Sequence, residues 1–105
     1  MRNLLIIDTS DNKTIKIALE IDGRKEIVIS DSKKLKSQTC LITIKQILEK
    51  KNLKPEDLSE IKVNKGPGSF TGLRVGISIA NTFSHFLKIP VNGRKIGEIE
   101  EPVYN

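Results

Sequence analysis

The stretch Gly66-Pro67-Gly68-Ser69-Phe70-Thr71-Gly72-Leu73-Arg74-Val75-Gly76 constrains this chain more than any other, because it holds four of the seven glycines. A cluster of this kind marks a backbone that turns sharply or is approached closely. Pro67 between two glycines keeps residues 66–69 from continuing a strand or opening a helix. Ser69 and Thr71 are then placed as caps for a helix predicted over Phe70–Leu87. Gly72 and Gly76 stand one turn apart on a single face of that helix, where each glycine costs about 0.5–1 kcal/mol relative to alanine. Accepting that cost twice implies that something packs tightly against the helix backbone.

The rest of the chain supplies the frame. Leu4 to Ile7 form a continuous apolar run, which predicts a strand over Asn3–Asp8 covered on both faces. Thr14–Ile21 alternates and reads as a half-buried strand. Asp22-Gly23 is a hairpin signal, and Arg24–Ser30 returns as a third strand. Asp31–Lys36 reads as a charged loop. Ser37 is placed to cap a helix over Gln38–Lys51, where Cys40, Leu41, Ile44, Ile47 and Leu48 form an apolar stripe. Lys54–Leu58 reads as a short helical turn, Glu60–Asn64 as a strand, and Ile89–Asn92 as a short edge strand after the second helix. Residues 94–105 are acidic and aperiodic and read as a tail. Three strands in a meander followed by two helix crossovers predict a mixed five-stranded sheet with two long helices, the layout of a ribonuclease-H-like half-domain.

Composition bounds the function. The 105 residues suit one domain and are too few for two lobes around a cleft. No apolar run approaches the roughly 20 residues of a membrane span, and Met1–Asn3 followed by Leu4–Ile7 is too short before Asp8 to be a signal peptide. One cysteine excludes an internal disulfide and fits a reducing cytoplasm. The net charge is +5, but fourteen of the eighteen basic residues are lysines spread along the chain, with few aromatics among them. That pattern suits low-affinity phosphate contact rather than sequence-reading of nucleic acid.

Each chemical candidate has a structural reading beside it. Asp8 ends an apolar strand, where a carboxylate could hold a metal or could simply cap the turn through Thr9 and Ser10. His85 is the single histidine, so no histidine cluster can bind zinc. Cys40 lies on an apolar stripe and reads as a buried thiol. Ser69 lacks the Gly-x-Ser-x-Gly spacing of a nucleophile elbow. Gly68 and Ser69 before a helix could contact phosphate together with Asp8, Thr9 and Ser10, but the lysine of a P-loop is missing.

The eleven-residue glycine motif resembles the signature of the TsaB (YeaZ) family, partner subunits in making threonylcarbamoyladenosine on transfer RNA. Leu5-Ile6-Ile7-Asp8-Thr9-Ser10 resembles that family's first strand and turn. Pro55–Leu58 with Ile61 and Val63, and Ile89-Pro90-Val91, resemble it as well. The resemblance runs from Leu4 to about Asn92 and covers the first lobe of an actin-like ATPase fold, so residues 1–93 are expected to be one lobe. Residues 94–105 stand where the family's second lobe would begin.

The resemblance implies a non-catalytic scaffold with no metal or cofactor of its own. It would support a TsaD-type catalytic subunit, with a TsaE-type ATPase as a further partner and tRNA reached through the complex. A one-lobed phosphate- or nucleotide-binding enzyme that dimerises to complete its cleft is the alternative. Helical geometry adds a surface. The second helix has an apolar arc too wide for one side of a sheet to cover, and exposed apolar patches mark interaction sites. Gly72, Val75, Gly76, Ile79, Thr82, Phe83 and Phe86 are the expected partner face. It would serve a homodimer when the chain is alone and a heterodimer with the catalytic subunit.

Overall fold

The computed structural model describes residues 2–31 and 35–103. Three strands open the chain: β1 (Asn3–Asp8), β2 (Thr14–Ile21) and β3 (Arg24–Asp31), each antiparallel to the next. The β2–β3 hairpin turns on Asp22 and Gly23, both at positive φ, 49° and 87°. Two positive values in a row match the right-handed twist of paired strands. Helix α1 (Lys36–Lys50) then crosses to β4 (Glu60–Val63), which lies parallel to β1, and α2 (Phe70–Leu87) follows. The sheet is mixed, in the order β3-β2-β1-β4.

Strand alternation decides where the core sits. Leu5, Ile7, Ile15, Ile17, Leu19, Ile61 and Val63 project from one face of the sheet. They form a single cluster with Cys40, Ile44, Ile47 and Leu48 of α1 and Leu73, Ile77 and Ala80 of α2. Both helices therefore cover the same face. The other face carries Ile27 and Ile29, which stay exposed. Cys40 is fully buried, and loss of hydration pushes its thiol up to about 12. It behaves as a small apolar side chain rather than a nucleophile.

Several boundaries differ from the sequence expectation. Helix α1 starts at Lys36 rather than Gln38. Leu35 occupies its N-cap with no side-chain cap, so Ser37 lies inside the first turn instead of capping it. Asp31 belongs to β3 and Lys36 to α1. The rest of the expected charged loop, residues 32–34, lies outside the described residues, as do Tyr104 and Asn105 at the end of the tail.

The sheet has four strands, not five. The expected strand at 89–92 contributes one parallel bridge, Ile61 to Val91. Its cause is local: Pro90 has no N–H to give, and Asn92 turns the backbone away at φ 52°. The Asn92 side chain then takes the place of the next strand residue. Its Oδ1 accepts from the Val63 amide at 2.8 Å and its Nδ2 donates to the Val63 carbonyl at 3.1 Å.

Candidate functional site

The C-terminal end of β1 is locked to the start of α2 through one hydroxyl. Thr9 is completely buried. Its Oγ1 donates to the Gly72 carbonyl at 2.5 Å and accepts from the Gly76 amide at 3.0 Å. That carbonyl and amide are the pair one helical turn joins, so the hydroxyl lies directly against the α2 backbone. A Cβ on Gly76 would stand 2.4 Å from Thr9 Oγ1, and one on Gly72 would stand 2.3 Å from the Thr9 carbonyl. Both glycines thus face inward, toward the chain's own first strand. This corrects their place in the expected partner face: what packs tightly on them is Thr9.

The turn after β1 is closed in the same way. Asp8 Oδ1 accepts from the Ser10 amide at 3.0 Å, the Ser10 hydroxyl at 2.6 Å and Asn64 Nδ2 at 3.3 Å. Burial raises the Asp8 carboxyl, but the Ser10 and Asn64 hydrogen bonds with the charge of Lys16 outweigh it, and the net displacement is downward. Gly68 packs on Ser10 so closely that a Cβ would lie 2.7 Å from the serine Cβ, and the Ser69 amide donates to the Ser10 carbonyl at 2.8 Å. Lys36 reaches across from α1 to the Thr9 and Asp11 carbonyls. Ser69 does cap α2, accepting from the Gly72 amide at 3.3 Å. Asp8, Thr9, Ser10, Gly68 and Ser69 are thus brought together, but their polar groups and the space between them serve each other. Among the described residues no three His, Cys, Asp or Glu side chains gather as metal ligands.

The outer side of α2 is different. Phe86 is 76% exposed and Phe70 58% exposed, with Thr82 in the open between them. Val75, Ile79 and Phe83 are half-buried, and Phe83 also borders a cavity shared with α1. A groove of about 790 Å³ runs along this helix, walled on its far side by Ile99 and Pro102 of the tail.

The family model for TsaD, tRNA N6-adenosine threonylcarbamoyltransferase, matches residues 12–93. The chain is 35% identical to the tRNA threonylcarbamoyladenosine biosynthesis protein TsaB of Bacillus subtilis, over 97% of this chain and 49% of that protein. It is 30% identical to TsaB of Escherichia coli, over 86% of this chain and 38% of that protein. YeaZ from Pseudomonas aeruginosa superposes with a TM-score of 0.79 at 28% identity, covering 87% of this chain and 42% of that one. The chain belongs to the TsaB (YeaZ) family. It spans about half the length of the curated relatives it matches. Among the described residues no helix is long and apolar enough to cross a membrane.

In this TsaB-family chain the C-terminal segment is fastened by a buried carboxylate that its acidic, aperiodic sequence does not announce. Glu100 is 3% exposed. Its backbone exchanges two hydrogen bonds of 2.9 Å with the Asn81 side chain of α2. Asn92 Nδ2 donates to its Oε2 at 2.9 Å, while Arg94 and Lys65 approach Oε1 at 3.2 and 3.7 Å. Burial raises the Glu100 carboxyl, but Asn92, Arg94, the Glu101 amide and Lys65 together hold it at about 2.

The sign follows directly. The folded value lies below the ordinary 4.5, so the ionised group stabilises the fold above pH 4.5 and that contribution fades as pH falls toward about 2. Glu100→Gln is expected to be about 1–2 kcal/mol less stable at pH 7. The gap should close on acidification, measured by denaturant titration of both proteins. Parallel pH profiles would remove Glu100 from the account. Deletion from Glu98 onward removes this anchor and the two bonds to Asn81, and should cost at least as much as the substitution.

Proposed function

We propose that the chain acts as a non-catalytic partner subunit. It would bind and support a TsaD-type threonylcarbamoyltransferase in forming threonylcarbamoyladenosine on transfer RNA, in the cytoplasm. The observation that carries this reading is the outer face of α2. A helix packed on a sheet needs one apolar stripe, and α2 already buries Leu73, Ile77 and Ala80. It still presents Phe70, Val75, Ile79 and Phe86 outward, and apolar surface of this kind marks a place where another molecule binds. The β1 turn and glycine loop supply the rigid mount: Thr9 fixes the helix through its backbone, and Phe70 and Phe86 stay exposed on the outer side. Asp8, the carboxylate best placed for chemistry, is occupied as a turn cap. A TsaE-type ATPase and the tRNA would be met through the assembled complex.

One observation favours the alternative of a one-lobed nucleotide-binding enzyme. A crevice of about 590 Å³ lies at the carboxyl ends of β1 and β4, bordered by Lys62, Asn64, Lys65 and Asp8. Crevices at the carboxyl ends of strands are where open α/β sheets bind ligands. Calorimetric titration with ATP separates the two readings, together with an ATPase assay that includes Asp8→Ala. The expected result is binding no tighter than millimolar, no turnover by the chain alone, and stimulation of threonylcarbamoyl transfer when the chain is added to a TsaD-type subunit. Micromolar binding with turnover that disappears in Asp8→Ala would overturn the partner-subunit reading.

A further inference from the structure

Residues 91–94 place two donors at the carboxyl end of β4, and both are positioned without help from Glu100. The Asn92 side chain is fixed by the Val63 amide and carbonyl, at 2.8 and 3.1 Å. Arg94 follows in a turn closed by its own amide on the Val91 carbonyl at 3.0 Å. A carboxylate lies between them. Asn92 Nδ2 donates to Glu100 Oε2 at 2.9 Å, and Arg94 and Lys65 stand 3.2 and 3.7 Å from Oε1. The Arg94 and Lys65 side chains stay 41% and 44% exposed, so solvent reaches both cations. The crevice of about 590 Å³ on which they lie extends to Lys62 and Asn64. Its border sets Lys62, Lys65 and Arg94 against the carboxylates of Asp8 and Glu100. Asp8 is already hydrogen-bonded to Ser10 and Asn64. With Glu100 withdrawn, the three cations would face that one satisfied carboxylate.

We infer that this end of the crevice is a binding site for an anionic oxygen group, a carboxylate or a phosphate, and that Glu100 is its built-in occupant. A guanidinium and an ammonium beside a fixed amide donor suit either group, because hydrogen bonds from charged donors to oxyanions are the strong ones. A carboxylate on the same chain is present at an effective concentration on the order of millimolar. An anion from solution therefore enters only where Glu100 leaves, and the two exclude each other. The C-terminal segment is then a gate on the crevice as well as a fastening. Glu100 is held by Lys65 and Arg94. A ligand that also reaches Lys62 gains a third cation and can prevail over the tethered group.

Calorimetric titration with inorganic phosphate, at an ionic strength held constant with sodium chloride, tests the site. Glu100→Ala should bind phosphate at least about tenfold more tightly than the parent, because the tethered competitor is gone. Phosphate should also raise the melting temperature of Glu100→Ala more than that of the parent. Adding Arg94→Gln to Glu100→Ala should abolish the gain. Acetate in the same titration shows which oxyanion is preferred. The parent gives a second reading that needs no variant to fold. The Glu101 amide donates to Glu100 Oε1 at 3.1 Å. Its hydrogen exchange should quicken as phosphate displaces the carboxylate, while amides within α2 keep their rates.

No TsaD-type subunit enters these measurements, so the partner-subunit reading stands or falls separately. Equal affinity of Glu100→Ala and the parent for both phosphate and acetate overturns the inference. So does a gain in binding that survives Arg94→Gln. A Glu101 amide whose exchange responds to phosphate no more than to chloride at matched ionic strength overturns it as well.

Discussion

Gly76→Ala will melt lower than the parent chain, by on the order of 10 °C. The usual expectation has the opposite sign, since alanine in a helix interior is about 0.8–1.0 kcal/mol better than glycine. Here the added methyl would stand 2.4 Å from Thr9 Oγ1 and 3.3 Å from the Ile7 side chain. Either α2 backs away from the sheet or the Thr9 hydroxyl gives up its bonds to Gly72 and Gly76. Overpacking a close-packed core costs about 1–3 kcal/mol, and a buried polar group left without a partner adds about 1–3 kcal/mol. In a domain of this size each kcal/mol moves the midpoint by about 4–8 °C. Gly72→Ala should behave alike, because its methyl would meet the Thr9 carbonyl at 2.3 Å. Thr9→Ala combined with Gly76→Ala should recover part of the loss for Gly76. Calorimetry on the single and double variants measures it, and a Gly76→Ala chain as stable as its parent would mean that Thr9 and α2 are not locked as described.

The second large effect is on association. Phe86→Glu is expected to lower affinity for a TsaD-type subunit by about a hundredfold or more, since an unpaired charge placed in an interface costs several kcal/mol. Phe86 is 76% exposed and can change without disturbing the core. Ile79→Glu should weaken binding at least as much. Ile79 also packs on the core, so this variant is expected to lose some stability, and Phe86→Glu is the cleaner of the two. Isothermal titration with both variants and far-ultraviolet circular dichroism reads affinity and fold separately. A folded Phe86→Glu chain that binds as the parent does would move the interface off α2.

The two glycines show what was legible and what was not. Their spacing marked a helix, placed them on one face and required a close neighbour, and all three inferences hold. The neighbour's identity did not follow, because periodicity names a face without naming what covers it. Thr9 lies 63 residues from Gly72 in sequence, and nothing local ties the two together. Ser69 was legible as a cap because capping is a local hydrogen bond within three residues. Ser37 misled because the helix starts one residue before it, which places it inside the first turn rather than at the cap.

The missing fifth strand and the buried Glu100 have the same origin. Asn92 and Glu100 are polar residues whose partners arrive from elsewhere: Val63 for the first, and Asn81, Asn92, Arg94 and Lys65 for the second. Polarity reads as exposure until those partners are in place. The apolar residues of the tail gave no better guide, for Ile96 and Ile99 stay exposed while the carboxylate between Ile99 and Glu101 is buried.

The side chain of Asn92 has one more effect, on how the protein behaves among its neighbours in a crowded solution. An open strand edge is a template on which other chains can stack and aggregate. On β4 the outward amides and carbonyls of Ile61 are held by Pro90 and Asn92, and those of Val63 by the Asn92 side chain alone. That margin of the sheet is sealed by the backbone of Pro90 and Asn92 together with the Asn92 side-chain amide. Among the described residues the opposite margin, β3, has no such seal, and there Arg24, Lys25 and Glu26 crowd the strand with charge. Fibril-like stacking from the folded chain is therefore expected to start at β3, and to become easier when salt screens those charges.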